Sequence, residues 1–374
     1  MPTARHYLDH ASTSPTRPEA VAAIASALAR PGGDPGRLHA EGLGARVAVE
    51  TAREQVAGLF GARPRSVIFT SGATESIATA CWGAAERGAH QVLAAVEHSA
   101  VRKAAEACGE VTVVGVDRLG RVDPSELLAT IRADTALVHL QWANHEVATV
   151  QAVAEVVTRC RERGVLVHID AAQANGHIEI DFDALGADLV SVSAHKLGGP
   201  IGVGALLVRR GLRLRPLLLG GDQERARRAG LEPVALISGF GAAAEVLTRS
   251  LGREVATQRA LTQRVLDAVP DLDGVRVFGD PNSRLPHLVC LGIDGVEPQA
   301  VLLGLDRAGI AAHSGSACAS ESLEPSPVLD AMGVDAHHSL RLSVGWSSTD
   351  ADIDAALTAL PGILSELRAL SQPG

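Results

Sequence analysis

The sequence predicts an α/β protein: a mainly parallel seven-stranded sheet between helices, followed by a smaller α+β domain. Three observations lead there. From residue 66, short apolar runs recur at 66–70, 91–95, 111–114, 136–140, 165–169, 188–192 and 204–208. Helical periodicity fills most of the gaps between them, at 74–85, 99–107, 124–132 and 152–163. Strands that alternate with helices form parallel sheets covered on both faces, because each crossover lays a helix on the sheet. After 209 that rhythm stops, and the 374 residues are enough for a second core. We expect a large domain over 15–240 and a small one formed by 1–14 plus 241–374. Hydrophobic residues make up 46% and charged residues 21%, which excludes a largely disordered chain, and with aromatics at 2% the core must be Ala, Val and Leu.

Taken in order, Tyr7–Pro15 reads as a short extended segment breaking into a turn. Residues 17–29 form an amphipathic helix with Pro18 near its start, 31–36 a Gly/Pro loop, and 44–59 a second helix. The runs at 188–192 and 204–208 are joined by a loop alone, so one of them is expected to pair antiparallel. The arginine-rich 209–228 reads as a loop and about 239–269 as a long helix. Short strands are expected near 275–278, 287–292 and 340–344, with helices near 297–308 and 351–369.

A formal charge of −9 and a pI near 5.9 argue against direct nucleic-acid binding. The first 20 residues hold no apolar run long enough for a signal peptide, and no window approaches a continuous membrane span. Cysteines 81, 108, 160, 290 and 318 form no CxxC pair and are odd in number, which suits a reduced, cytoplasmic protein. No metal-ligand spacing is present.

Chemistry concentrates at the strand ends, where open parallel sheets bind ligands. Lysine occurs only at 103 and 196, and Lys196 closes the run Ser193-Ala194-His195-Lys196 before Gly198-Gly199-Pro200. A guanidinium stays protonated, whereas a lysine amine can be freed by its surroundings to form a Schiff base. Ser71-Gly72-Ala73-Thr74 opens a helix and offers backbone N–H groups to a phosphate. Asp170 ends another run, 26 residues before Lys196 and one strand–helix–strand step away. A lysine for an aldehyde, an acid for a ring nitrogen and donors for a phosphate together point to pyridoxal 5'-phosphate.

Those residues lie in segments that resemble the NifS/IscS-type cysteine desulfurases, class V of the fold-type I pyridoxal-phosphate enzymes. The matching stretches are YLDHASTSP, SGATES, VEHSAV, ANHEVATVQ, HIDAAQ, SAHKLGGPIGVGALLVRR, GGDQERARRAG, SGSACASESLEPS and SLRLSVG, in family order over about 7–345. The resemblance implies a homodimeric sulfurtransferase that converts L-cysteine to L-alanine. Lys196 would hold the cofactor, Asp170 pair with the ring nitrogen, Gln173 with the ring hydroxyl, and His98 stack on the ring. Ala73, Thr74, Ser193 and His195 would bind the phosphate. Arg341 would clamp the substrate carboxylate, with Asn144, His145 and His39 near the substrate. Cys318, in the small domain, would take the sulfur as a persulfide and pass it to an acceptor protein, a scaffold or a thiolation enzyme. Its neighbours His313-Ser314-Gly315-Ser316-Ala317 and Ala319-Ser320 are small and polar, so an exposed, mobile loop is expected. His98 is the expected acid/base for the thiol proton, since an imidazole titrates in the useful range.

The chain departs from the family at three positions. His145 stands where a second asparagine is usual and Ala148 where a glycine is usual. Leu231 replaces a threonine that reaches the neighbouring subunit's cofactor phosphate. With Gly374 so soon after the last helix, the tail by which the iron–sulfur housekeeping enzymes dock their scaffold is expected to be missing. That leaves room for RNA, DNA or natural-product thiolation. A class V carbon–sulfur lyase, a selenocysteine lyase, an aminotransferase and a non-catalytic sulfur-relay subunit are the competing readings.

Overall fold

The computed structural model describes residues 5–314 and 325–371. Its strands are β1 (His6–Tyr7), β2 (Val67–Thr70), β3 (His90–Ala94), β4 (Glu110–Val114), β5 (Thr135–Gln141), β6 (Leu166–Asp170), β7 (Leu189–Ser193), β8 (Gly204–Val208), β9 (Val275–Phe278), β10 (Leu288–Ile293), β11 (Ile310–Ala311) and β12 (Ser339–Ser343). The seven from β2 to β8 form the main sheet in the order β2-β8-β7-β6-β5-β3-β4. All pairings are parallel except those of β8, which runs antiparallel to both β2 and β7. The strand after a loop-only connection is therefore the antiparallel one, as its short connection requires.

The helices are α1 (Pro18–Leu28), α2 (Ala40–Leu59), α3 (Ala73–Ala84), α4 (Ser99–Cys108), α5 (Pro124–Ala129), α6 (Val153–Glu162), α7 (Phe182–Leu185), α8 (Gln223–Ala226), α9 (Val234–Ala268), α10 (Pro298–Arg307), α11 (Pro327–Ala331) and α12 (Asp350–Ser371). Side-chain alternation decides what each face of the sheet carries. Val138, Leu140, Val167, Ile169, Val190 and Val192 point into the larger core with Val56 of α2, Phe60 just after it, and Phe240 and Leu247 of α9. The intervening Leu137, Leu166 and Leu189 pack with Ala80 and Ala84 of α3 on the other face. Continuing that second series toward the carboxyl ends gives Gln141, Asp170 and Ser193, all on the α3 face. Register sets Gln141 beside Asp170, and Asp170 beside Ser191. The topology thus brings these polar positions together at the mouth of α3.

By length and composition α9 is long and apolar enough to cross a membrane, which a search for unbroken apolar runs does not anticipate. It lies along α1 and α2 with Ile237, Phe240, Ala243, Ala244 and Leu247 buried, as a packing helix does. It also runs through the expected domain division at 240/241. Beyond it, β12-β10-β9 form a small antiparallel sheet over a separate core of Leu8, Val289, Leu291, Leu340, Leu342, Ile353 and Leu360. The opening segment belongs to this part, since β1 pairs parallel with β11.

The 209–228 stretch, expected to be a loop, contains the single turn α8. Glu224, Arg225 and Ala226 there have φ of 50°, 61° and 59°, three successive left-handed residues, none of them glycine. Such backbone costs roughly 1–2 kcal/mol per residue and needs an anchor. Glu224, buried, supplies it by accepting two bonds from Arg53 at 2.7 and 2.8 Å and one from the Phe69 N–H at 3.0 Å. Ala148 is left-handed too (φ 69°), which is the physical reason a glycine suits that place.

Candidate active site

A cavity of about 530 Å³ opens at the carboxyl ends of the main sheet. Among the described residues it is lined by Ala73, Thr74, His98, His145, Asp170, Gln173, Ser193, His195, Lys196 and Arg341, ten of the positions expected from sequence. Two others do not line it. Asn144 is fully buried and spends its amide on its own turn, Oδ1 accepting the Glu146 and Val147 N–H groups at 2.8 Å and Nδ2 donating to Val96 O. His39 is exposed at the N-cap of α2, accepting the Gly42 N–H and paired with Glu41. Cys318 lies outside the described residues; along the chain it is five residues from His313, which does line the cavity.

Lys196 sits one turn beyond β7. Its Nζ donates to the carbonyls of Ala11 and Ser12, the latter at 2.9 Å. Burial, with the Arg341 charge added, lowers its pKa from 10.5 to about 7, while Asp9 and Asp170 pull the other way. Burial thus favours the neutral, nucleophilic amine. Asp170 accepts the Ala172 N–H at 3.0 Å, yet burial leaves its pKa above the ordinary carboxylate range. Beside it, Glu97 is pushed up to about 8 by burial and then by Asp170, although Gln141 N–H donates to it at 2.6 Å. Glu97 stands in the VEHSAV segment, where sequence reasoning gave it no role; its Oε2 is buried without a partner.

The α3 mouth is shaped for close approach. Gly72 precedes the helix at φ 153°, and a Cβ on Gly204 would lie 2.7 Å from Gly72 Cα and 2.6 Å from Val192 O. Only a bare backbone at Gly204 lets the turn rest on β8. The first N–H groups of α3, at Ala73 and Thr74, have no intrahelical acceptor, and Ser193 and His195 line the same cavity. The Ser71 N–H is taken by Glu75, which is itself held by Arg228 at 2.9 Å. His195 contacts Thr13 Oγ1 at 3.1 Å, and burial beside Lys196 lowers its pKa to about 4.

The protein's own surroundings, burial first and then His145 and Lys196, lower the His98 pKa to about 3. Its Nδ1 accepts the Ala100 N–H at 3.1 Å as the N-cap of α4, which leaves the ring proton on Nε2. His98 is therefore a neutral ring with one fixed donor, edge-on to His145 at 5.3 Å. Opposite, Arg341 of β12 donates to Asp9 at 2.9 Å, Ser12 at 2.8 Å and the His145 carbonyl at 2.9 Å, while its buried Nε has no partner. Ser12 and His313 are lining residues that sequence reasoning passed over, although both stand within matched or adjoining segments.

The donor set suits pyridoxal phosphate. A freed amine and a buried carboxylate share the cavity, the buried Gln173 Oε1 lacks a partner, and the start of α3 after Gly72 lines the same cavity.

Comparison with known proteins gives a consistent answer. The aminotransferase class-V family matches residues 6–356. The chain is 39% identical to cysteine desulfurase IscS 1 of Archaeoglobus fulgidus, over 98% of both chains. A NifS-like protein structure matches with a TM-score of 0.91 at 30% identity, covering 97% of this chain and 100% of that one. SspA in complex with cysteine matches with a TM-score of 0.81 at 27% identity, covering 91% and 99%.

Proposed function

The chain belongs to the aminotransferase class-V family, and we propose that it is a pyridoxal-phosphate-dependent cysteine desulfurase. The reaction takes L-cysteine to L-alanine, with the sulfur leaving on Cys318 for an acceptor protein. The observation that carries this reading is the depressed Lys196 amine sharing one cavity with buried Asp170 and with Arg341. The cysteine desulfurase relatives and the neighbour solved with cysteine support the substrate.

Lys196 would hold the cofactor aldehyde, Asp170 face the ring nitrogen, Gln173 the ring hydroxyl and His98 the ring plane. The phosphate would lie at the α3 mouth against Ala73, Thr74, Ser193 and His195. When bound, the cofactor supplies an electron sink for charge developing at the substrate α-carbon. The protein's own groups do the rest. Arg341 offers its unpartnered Nε edge to the substrate carboxylate. Lys196, its amine driven toward the neutral form by burial, is the base for the α-proton. His98 keeps its Nε2 proton and serves as a donor and a flat wall. Cys318 as thiolate attacks the substrate sulfur: the S–S bond forms as the C–S bond breaks, its electron pair passes to carbon, and a proton completes alanine. Cys81, Cys108, Cys160 and Cys290 are free, which suits a reducing, cytoplasmic setting; the homodimer is proposed from the family alone. We assign 15–240 to cofactor binding and 1–14 plus 241–374 to the cysteine-bearing domain.

The test is incubation with L-cysteine and a reductant. Alanine and sulfide should appear in equal amounts, and Cys318→Ala should lose both while still binding cofactor. Full activity in that variant would favour a simple lyase, and protein that takes up no cofactor would favour a sulfur-relay subunit.

A further inference from the structure

Behind the cavity wall, Gln173 leads into a polar cluster that the chemistry above leaves unused. Its amide nitrogen lies 2.8 Å from His287 Nε2, and the His287 ring stacks on His177 at 3.4 Å with planes 8° from parallel. His177 is fixed in turn, with Nδ1 2.9 Å from Gln258 Oε1 on α9. The turn before it needs Gly176, at φ 87°, where a Cβ would come within 2.7 Å of Leu197 Cβ. All four side chains are buried, yet Gln173 Oε1, His177 Nε2 and His287 Nδ1 have no hydrogen-bond partner. Buried polar atoms are nearly always paired. Three orphans in one cluster, one of them on a cavity-lining residue, mark a network whose last member is the ligand.

The network has two self-consistent arrangements. In the first, the Gln173 amide donates to an unprotonated His287 Nε2, and Oε1 is left as an acceptor. In the second, the His287 proton sits on Nε2, the amide is turned over, and its NH2 end is left as a donor. A neutral imidazole carries one donor and one acceptor nitrogen, so tautomer and amide orientation are locked together. The ring stays neutral because it is buried and faces His177, His10, Arg341 and Lys196, all of which oppose a further positive charge. The acidic groups of the region act on its neighbours, Glu254 on His177 and Asp9 and Asp352 on His10.

We propose that His287, buttressed by His177, is a positioning residue that decides which end of the Gln173 amide meets the cavity ligand. It thereby sets where the proton sits on that ligand's ring hydroxyl. The proposal rests on the reading that the cavity takes pyridoxal phosphate. The test is a spectral pH titration of protein reconstituted with pyridoxal phosphate, comparing wild type, His287→Phe, His287→Gln and Gln173→Ala. Phenylalanine keeps a ring for His177 to stack on and removes both nitrogens. One hydrogen bond to an ionising group is worth about one to two pH units, so the midpoint of the visible band should move by that much in His287→Phe. The direction reports which amide end the wild type presents. His287→Gln can donate or accept and should fall between, a result that stands even if the phenylalanine variant does not fold. If the His287 midpoints match wild type while Gln173→Ala shifts, the role of His287 is overturned and that of Gln173 survives. If no protein develops a visible band, the cofactor reading itself fails, and this proposal with it.

Discussion

Replacing Lys196 by methionine should make the apoprotein more stable at low pH and leave it unchanged at high pH. In the fold the amine has a pKa near 7, against 10.5 in the unfolded chain. Between those values the unfolded chain holds a proton that the folded protein does not, so stability rises with pH across the window. Below about pH 7 the folded state must carry a buried cation beside Arg341, and the full penalty applies. At about 1.4 kcal/mol per pH unit the shift converts to a ceiling of roughly 5 kcal/mol. The amine borders an open cavity, and solvent there screens part of the charge, so about 2–3 kcal/mol is the expected size. Methionine keeps the length of the chain and removes the charge.

The assay is thermal or urea unfolding of both apoproteins at about pH 6 and about pH 10. Every other titrating group is shared, so the change in the difference between them isolates Lys196. At the lower pH the variant should melt about 2.5–4 °C above wild type, and the curves should converge at the higher pH. Equal differences at both pH values would refute the argument, because the lysine would then be an ordinary charged side chain with no freed amine to offer.

Three further outcomes follow from the geometry. Arg341→Lys keeps the charge but loses the guanidinium fork, so kcat/KM for cysteine should fall roughly 10²-fold, mostly through KM. Glu224→Gln leaves the buried Arg53 guanidinium (3% exposed) with only the half-exposed Glu50 as counter-charge. Unfolding free energy should drop by about 2–4 kcal/mol, less than the usual cost of a broken buried pair because the left-handed turn relaxes; faster trypsin cleavage at Arg225, Arg227 or Arg228 would report the same loosening. Gly204→Ala puts a methyl against Gly72 and the Val192 carbonyl, so cofactor affinity in equilibrium dialysis should weaken at least 10-fold.

Much of this arrangement was legible before any coordinate. Seven apolar runs gave seven strands, because periodicity and length report burial directly. Strand ends named Asp170, Ser193, His195 and Lys196 because parallel sheets gather their carboxyl ends on one edge. Elements held by distant partners were harder to see. The two-residue β11 exists through pairing with β1, some 300 positions away, and α8 exists through Arg53. Sequence shows the His98 imidazole but neither its burial nor the Ala100 N–H that occupies Nδ1. Asn144 was placed near the substrate on a motif that does not distinguish a residue building a turn from one facing a cavity.

The opening segment shows why the motif YLDHASTSP belongs with the lysine. Arg341 and Lys196 are two cations at one cavity, and Arg341 lowers the lysine pKa while Asp9 raises it. Asp9 holds the Arg341 guanidinium at 2.9 Å, so it offsets the repulsion without pairing with the amine itself. The Lys196 amine is instead left to the carbonyls of Ala11 and Ser12, which tether its position but supply no full counter-charge. The segment is in turn fixed at both ends, Leu8 accepting from the Ser343 N–H at 2.8 Å and the Ser14 N–H donating to the His195 carbonyl at 3.0 Å. A carboxylate moved from Asp9 to the Ala11 or Ser12 position would pair with Lys196, restore its ordinary pKa and remove the base. The placement of one acid therefore separates a carboxylate-binding arginine from a proton-accepting lysine, and the N-terminal strand is the element that sets that placement.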